Sequence, residues 1–341
     1  MKKLFISMLA VAALASCSQE DVIVADKGDL IGFNSFVENS TRADAATDPS
    51  YTTTGQNPNL TSFNVYGAVN GVNIFNGNTV TKSADYGSAW TLTGASQYWI
   101  NGADYEFVAV VDGNKTVKDS KNNDVVITST TTNASGIPTA ITYNSDGATD
   151  LLCARVVRND NEDTSVVPFG FTHLLSKVKF SVKNTTAAAA TNYRIVLTSA
   201  QITGALASNT YNVGETSAWA TVNTTDNTKD FTLENLTVNS AATQYHSKEL
   251  LLLPGVNVNV IVTAKVEAKD DRGVWTEVST MNRTFTNVLG EGTLVANNAY
   301  HFAVSLGIGE EIKFTATTLP DWNEDVNGDN KVDANDNIKL Q

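Results

Sequence analysis

Hydrophobic and polar positions alternate with a period of two in one stretch of this chain after another. The clearest case runs from Leu174 to Asn184. Leu174, Val178, Phe180 and Val182 share one parity, with Ser176 the small exception, while Lys177, Lys179, Ser181 and Lys183 share the other. That pattern predicts a strand buried on one face and wet on the other. Three lysines on the wet face would discourage stray pairing. Just upstream, Arg158–Thr164 reads Arg-Asn-Asp-Asn-Glu-Asp-Thr, a polar run expected to serve as a linker. A new folding unit is therefore expected to open near Val167.

Strands are predicted on both sides of this point. Within Asp29–Glu38, Ile31, Phe33 and Val37 share a face, but Leu30 and Phe36 have the opposite parity. Such a strand is expected to be buried on both sides or bulged. Further strands are predicted over Leu60–Phe75, Ala89–Thr93, Tyr105–Val111, Asp124–Thr128, Thr139–Tyr143 and Asp150–Val157. Asn70-Gly71, Asn76-Gly77, Asn101-Gly102 and Asp112-Gly113 supply hairpin-turn chemistry between them. The second half offers Tyr193–Leu197, Gln201–Thr203, Phe231–Val238, Leu250–Leu253, Ala299–Leu306 and Ile312–Thr318. It also offers a long hairpin, Val256–Val266 with Gly273–Thr284, turning at Asp270–Gly273. About eight evenly spaced strands with turn signals between them form the pattern of a sandwich. Helical periodicity is confined to the short alanine run Ala187–Ala190. The expected fold is all-β, with two tandem β-sandwich domains at residues 43–166 and 167–320.

Composition narrows the function. A chain of 341 residues suits two domains of about 150 residues each. Its 42% hydrophobic content is enough for real cores. A net charge of −13 excludes nucleic acid as the expected partner, because phosphate binding takes clustered Lys and Arg. The acidity reads as solubility of an exposed protein. Two cysteines cannot make a disulfide framework, and Cys153, set among apolar neighbours, reads as a small core residue. His173, His246 and His301 lack metal-ligand spacing and read as hydrogen-bonded structural residues. There is no G-x-S-x-G, H-E-x-x-H, P-loop or C-x-x-C motif. Gly290-Glu291-Gly292 opens no helix and is not a nucleotide site. No catalytic residue is assigned, although a hydrolase with two acids held at catalytic distance stays open.

Both ends carry chemistry. Met1–Ser16 has a positive start, an apolar middle and small residues at its close, the make-up of a secretory signal too short to span a bilayer permanently. Leu14-Ala15-Ser16-Cys17 matches the bacterial lipobox, so Cys17 is the expected lipidation site and outer-membrane lipid an expected partner. Acyl chains anchor with about 0.8 kcal/mol per buried methylene. The following Ser18-Gln19-Glu20-Asp21 resembles the tag that sends lipoproteins to the outer surface in Bacteroidales. Arg42 lies in a long polar run, where proteolysis concentrates. In the tail, 321–341, Asp325, Asn327, Asp329, Asp333 and Asp336 fall at positions 1, 3, 5, 9 and 12 of a calcium loop, with the Lys331 carbonyl at position 7. This resembles a single dockerin-type EF-hand loop. Asn330 sits where glycine is usual, and a solvated acidic tail is the alternative.

Several pieces together resemble the fimbrillin family of Bacteroidales, the lipoprotein precursors of type V pili. They are the lipobox at Cys17, the Ser40-Thr41-Arg42-Ala43 segment after the first strand, Tyr98-Trp99 with Tyr105-Glu106-Phe107, and Asp150–Ala154. Phe171–Phe180 and Ile312–Trp322 complete the set. The resemblance implies two transthyretin-like Greek-key sandwiches and other fimbrial subunits as partners. It further implies that an arginine-specific protease cuts at Arg42–Ala43, which frees residues 17–42 with the first strand and opens an apolar groove. A neighbouring subunit's C-terminal strand then fills that groove. The donor carried onto this chain is Ile312–Thr318, with Ile312, Phe314 and Ala316 on the apolar parity. The tail beyond Trp322 departs from a shaft subunit's simple ending and fits a terminal subunit or an adhesin for a surface glycan or protein. The competing reading is a monomeric glycan-binding surface lipoprotein with Trp90, Trp219 or Trp275 as platforms.

Overall fold

The computed structural model describes residues 28–37, 60, 62–82, 90–111, 127–186, 192–214, 219–222, 224–238, 243–245 and 249–319. Its strands in chain order begin with β1 (Phe33–Val37), β2 (Ser62–Val69), β3 (Val72–Lys82), β4 (Trp90–Leu92), β5 (Ala103–Val111) and β6 (Ile127–Thr132). Next come β7 (Pro138–Asn144), β8 (Leu152–Asn161), β9 (Val167–His173), β10 (Ser176–Asn184), β11 (Tyr193–Leu206), β12 (Ser208–Asn212) and β13 (Thr228–Val238). The last are β14 (Gln244–Tyr245), β15 (Leu250–Leu252), β16 (Asn259–Lys269), β17 (Trp275–Phe285), β18 (Ala299–Leu306) and β19 (Lys313–Leu319). The fold is all-β and sandwich-like, as the alternation predicts.

The first sheet runs β1-β9-β8-β5-β2-β3-β4. Its β2–β3 hairpin turns through Asn70 and Gly71, both with positive φ (47° and 78°), the turn whose twist matches that of the strands it joins. The sheet curls on itself. Its inward face carries Phe33, Phe63, Phe75, Tyr105, Phe107, Phe169 and Phe171 in one aromatic core. The segment just before β1 reaches the far side, where the Ile31 amide donates to the Gln97 carbonyl and the Trp99 amide to the Asp29 carbonyl, each at 2.9 Å.

β5 shows why the outer face is not solvent. Tyr105, Phe107, Ala109 and Val111 point into the aromatic core, as the alternation predicts. Val108 and Val110, of the other parity, are buried too, and join Ile137, Ile141 and Tyr143 of the β12-β7-β6 sheet in a second core. That core continues without a break into the two C-terminal sheets, β14-β10-β18-β19 (with β15 also on β10) and β13-β11-β16-β17. The β16–β17 hairpin is the one predicted around Asp270–Gly273; the Asp270 carboxylate accepts from the Arg272 and Val274 amides.

Four expectations need correction. Val167 opens β9, which pairs with β1 and β8 in the first sheet, so the chain crosses to the second sheet only at Leu174–Leu175. Arg158–Thr164 is no loose linker: its first half finishes β8, and the rest is a turn bonded to Arg158. β10 is not wet on its lysine face. It lies inside its sheet with layers on both sides, and Lys177, Lys179 and Ser181 are buried while Lys183 is exposed. β1 is not bulged, since its register with β9 is continuous, and the outward parity is not buried at Leu30, just ahead of it, which is 55% exposed.

Phe33 is the side chain through which β1 holds the aromatic core closed. Replacing a buried Phe by Ala removes transfer energy and leaves a cavity, at about 3–5 kcal/mol. Phe33→Ala is expected to lower the unfolding free energy by roughly that amount in a urea titration.

Candidate functional site

The first site is the seam that β1 closes. β1 is an edge strand, held in parallel to β9 from Phe33↔Val167 to Val37↔Phe171. Ile31, Phe33 and Ser35 point inward and are buried. The Phe33 ring lies 5.5 Å from Phe75, 5.9 Å from Phe107 and 5.7 Å from Phe169, so it touches three strands besides its own. Burying large apolar side chains such as Ile31 and Phe33 contributes about 1.5–3 kcal/mol each. Against this, Ser35 Oγ and the indole nitrogens of Trp90 and Trp99 are buried at the same seam with no hydrogen-bond partner among the described residues. Each such atom costs about 1–3 kcal/mol. The seam is well filled by its phenylalanine and poorly satisfied in its polar atoms.

The second site is a polar cluster where the chain crosses between sheets. His173, at the end of β9, donates from Nδ1 to Asp150 Oδ2 at 2.5 Å, and Asp150 Oδ1 accepts from the Leu151 amide at 2.8 Å. Lys177 and Lys179 reach opposite oxygens of Glu249, at 3.4 and 3.5 Å. These are ionic contacts too long for good hydrogen bonds, which agrees with both Glu249 oxygens lacking a hydrogen-bond partner among the described residues. Burial lowers the Lys177 ammonium to about 8, with Glu249 opposing the shift. Burial likewise raises Glu249, and the two lysines only partly offset it. Sequence reasoning missed this cluster because alternation marks parity, not whether the polar parity is covered by another layer.

Among the residues singled out from sequence, Cys17, Arg42, Ala43 and the tail set Asp325, Asn327, Asp329, Lys331, Asp333 and Asp336 lie outside the described residues, as does His246. The donor-strand residues are described. Ile312 is buried; Phe314 and Ala316 of β19 are half-buried on the face opposite exposed Lys313, Thr315 and Thr317. Phe314 stacks on Phe285 at 5.0 Å and meets Phe302 edge-on at 5.5 Å. β19 is thus an edge strand docked on its own sheet, antiparallel to β18. His173 and His301 are hydrogen-bonded structural residues as expected, the latter to Ser181 Oγ at 2.7 Å. Cys153 is a core residue whose thiol burial pushes up to about 12, far from reactive.

The three tryptophans considered as glycan platforms are half-buried and engaged. Trp90 packs on Phe63, Trp219 donates to the Leu174 carbonyl, and Trp275 lies under Arg194. Among the described residues no His, Cys, Asp and Glu side chains cluster to hold a metal.

The family model described as fimbrillin-like matches residues 27–322. The chain belongs to the fimbrillin-like family. Among solved structures, a fimbrial protein from Bacteroides vulgatus is similar at 16% identity and a TM-score of 0.55, over 86% of this chain and 99% of that one. A candidate cell adhesion protein from Bacteroides ovatus is similar at 15% identity and a TM-score of 0.50, over 86% of this chain and 98% of that one. At these identities the likeness speaks for the fold alone. No curated protein matches in sequence. In this fimbrillin-like chain the family match begins one residue before the described segment that leads into β1, so the seam lies inside the matched region.

The junction cluster carries a stability prediction. Removing one partner of a buried ionic group leaves charge without its counter-ion, at about 3–5 kcal/mol. Glu249→Gln is expected to cost roughly that much in chemical denaturation, while the pair change Lys177→Met with Glu249→Leu costs less than Glu249→Gln alone.

Proposed function

We propose that this chain is a fimbrial structural subunit or adhesin rather than an enzyme. In this reading it is exported as an outer-membrane lipoprotein through Cys17 and assembled by strand exchange after a protease cuts at Arg42–Ala43. The observation that carries the reading is β1. It is an edge strand, it fills an apolar groove with Ile31 and Phe33, and its last residue, Val37, precedes Arg42 by five positions. A cut at Arg42 would detach β1 from everything downstream except its non-covalent contacts. The vacated groove would present unpaired β9 backbone and the aromatic faces of Phe75, Phe107 and Phe169, the template for an added strand.

The incoming strand in this reading is a second copy's β19 segment. Its inward Ile312, Phe314 and Ala316 offer the same alternation that β1 presents through Ile31, Phe33 and Ser35. To serve, β19 must leave β18 and the Phe285 ring, so donor release has its own cost. Membership of the fimbrillin-like family supports the cell-surface fimbrium as the setting and other fimbrial subunits as the partners. In the tail, Asp325 to Asp336 would bind calcium and stiffen the end of a terminal subunit.

Cutting the purified protein with an arginine-specific protease is expected to give a new N-terminus at Ala43 and a ladder of oligomers on unheated gels. Arg42→Ala is expected to stay monomeric. A cut protein that stays monomeric removes the strand-exchange reading. For the tail, calorimetric titration with calcium is expected to give heat for the wild type that Asp325→Ala loses; equal heats remove the site.

A further inference from the structure

The entry end of β1 is held by a device separate from the β9 ladder. At the end of β8, Arg158 is only 13% exposed and lies 5.0 Å above the Trp99 ring. Its guanidinium donates to the carbonyls of Asp163 at 2.9 Å, Ser165 at 3.2 Å and Val166 at 3.2 Å, which folds residues 161–166 into a fixed turn. Asp163 braces the turn from within: its carboxylate accepts from the Ser165 amide and hydroxyl, and these bonds hold it below the usual carboxylate range.

The turn grips the segment leading into β1. Thr164 Oγ1 donates to Asp29 Oδ2 at 2.7 Å, three residues ahead of the first bond of the β9 ladder, from the Val167 amide to the Gly32 carbonyl at 2.8 Å. Val166 lies so close to Gly32 that a Cβ there would meet it at 3.1 Å. From the other side, the Trp99 amide holds the Asp29 carbonyl, and the ring above that amide is the one Arg158 covers. Behind Gly28 and Asp29 lies a cavity of about 280 Å³, also lined by Trp99, Asn161 and Thr164. At Gly28 and Asp29 the segment is therefore held by directional bonds to the turn and to Trp99, while packing in the core begins at Ile31.

We propose that Arg158 and the 161–166 turn form a clasp on residues 29–32, and that opening this clasp sets the rate at which β1 leaves its groove. Arg158 is a positioning residue: it touches none of β1 and acts by fixing the turn and the Trp99 ring. Its planar fork reaches three carbonyls from two nitrogens while its flat face lies over Trp99; a lysine's three N–H donors radiate from one nitrogen and give neither the spacing nor the face. The clasp deepens the strand-exchange reading and rests on it for its biological use, although the contact itself is a property of the uncut protein.

Hydrogen exchange on the uncut mature protein tests it first. In Arg158→Ala, the amides of Ile31, bonded to Gln97, and of Asn34 and Phe36, which the register turns toward β9, are expected to exchange roughly tenfold faster than in the wild type, with β5 and β16 unchanged, because local opening is independent of global unfolding. Arg158→Lys should behave like Arg158→Ala. Thr164→Val, which deletes only the bond to Asp29, should give a smaller change of the same sign and serves if Arg158→Ala fails to fold. After cleavage at Arg42, the variants should release the peptide ending at Arg42 faster than the wild type, as read by mass spectrometry of size-exclusion fractions. Unchanged β1 exchange, or equal acceleration in every strand, overturns the clasp. Faster β1 exchange with the cut peptide still bound in every protein upholds the clasp and overturns the strand-exchange reading instead.

Discussion

One strand pairing closes the first half of this protein: β1 lying parallel to β9 while Phe33 meets rings from β3, β5 and β9. A curled sheet with two edges must hide its inner face or expose it to water. Here the chain's own early segment does the hiding, touching Gln97 and Trp99 at one edge and β9 at the other. Among the described side chains the closure depends on Ile31 and Phe33, together with five residues of ladder. Under the proposed strand exchange, an incoming segment would have to offer a similar strand with a side chain for the Phe33 position.

The period-two pattern carried the strand assignments and the inward face of β5, because side chains alternate strictly across a sheet whatever surrounds it. It could not report what lies against the other face. Lys177 and Lys179 have the parity of a solvated edge and sit instead under Glu249, since β10 is enclosed by layers contributed from distant parts of the chain. The same limit explains Val167–His173. Its alternation is clear, but its partners, β1 and β8, are fixed by topology rather than by local sequence. Arg158 was legible only as part of a polar run; that one guanidinium gathers three nearby carbonyls is a consequence of the turn it makes. Of the candidate site, the Ile31 and Phe33 face and the β19 alternation were readable, and the clasp was not.

The two polar sites do opposite physical work. The crossing between sheets runs through one continuous apolar core, and apolar contact is non-directional, so it does not by itself fix how β9 and β10 are oriented. Asp150 with His173, and Glu249 with two lysines, add bonds that tolerate little displacement. Burying those charges is costly, and apolar replacements are often as stable. What the cluster adds is orientation at the point where force along the chain would pass from one half to the other.

At the seam the polar groups loosen the fit instead. Ser35 places a hydroxyl among aromatic rings, and the indoles of Trp90 and Trp99 find no acceptor among the described residues, so within these the native strand satisfies its groove incompletely. A strand bound too well could not be exchanged, and one bound too loosely would expose the aromatic face before a partner arrived. Holding the entry end through Arg158, outside the groove, would separate these demands under the proposed strand exchange: the groove's fit would set how much is gained, and the clasp how soon exchange begins.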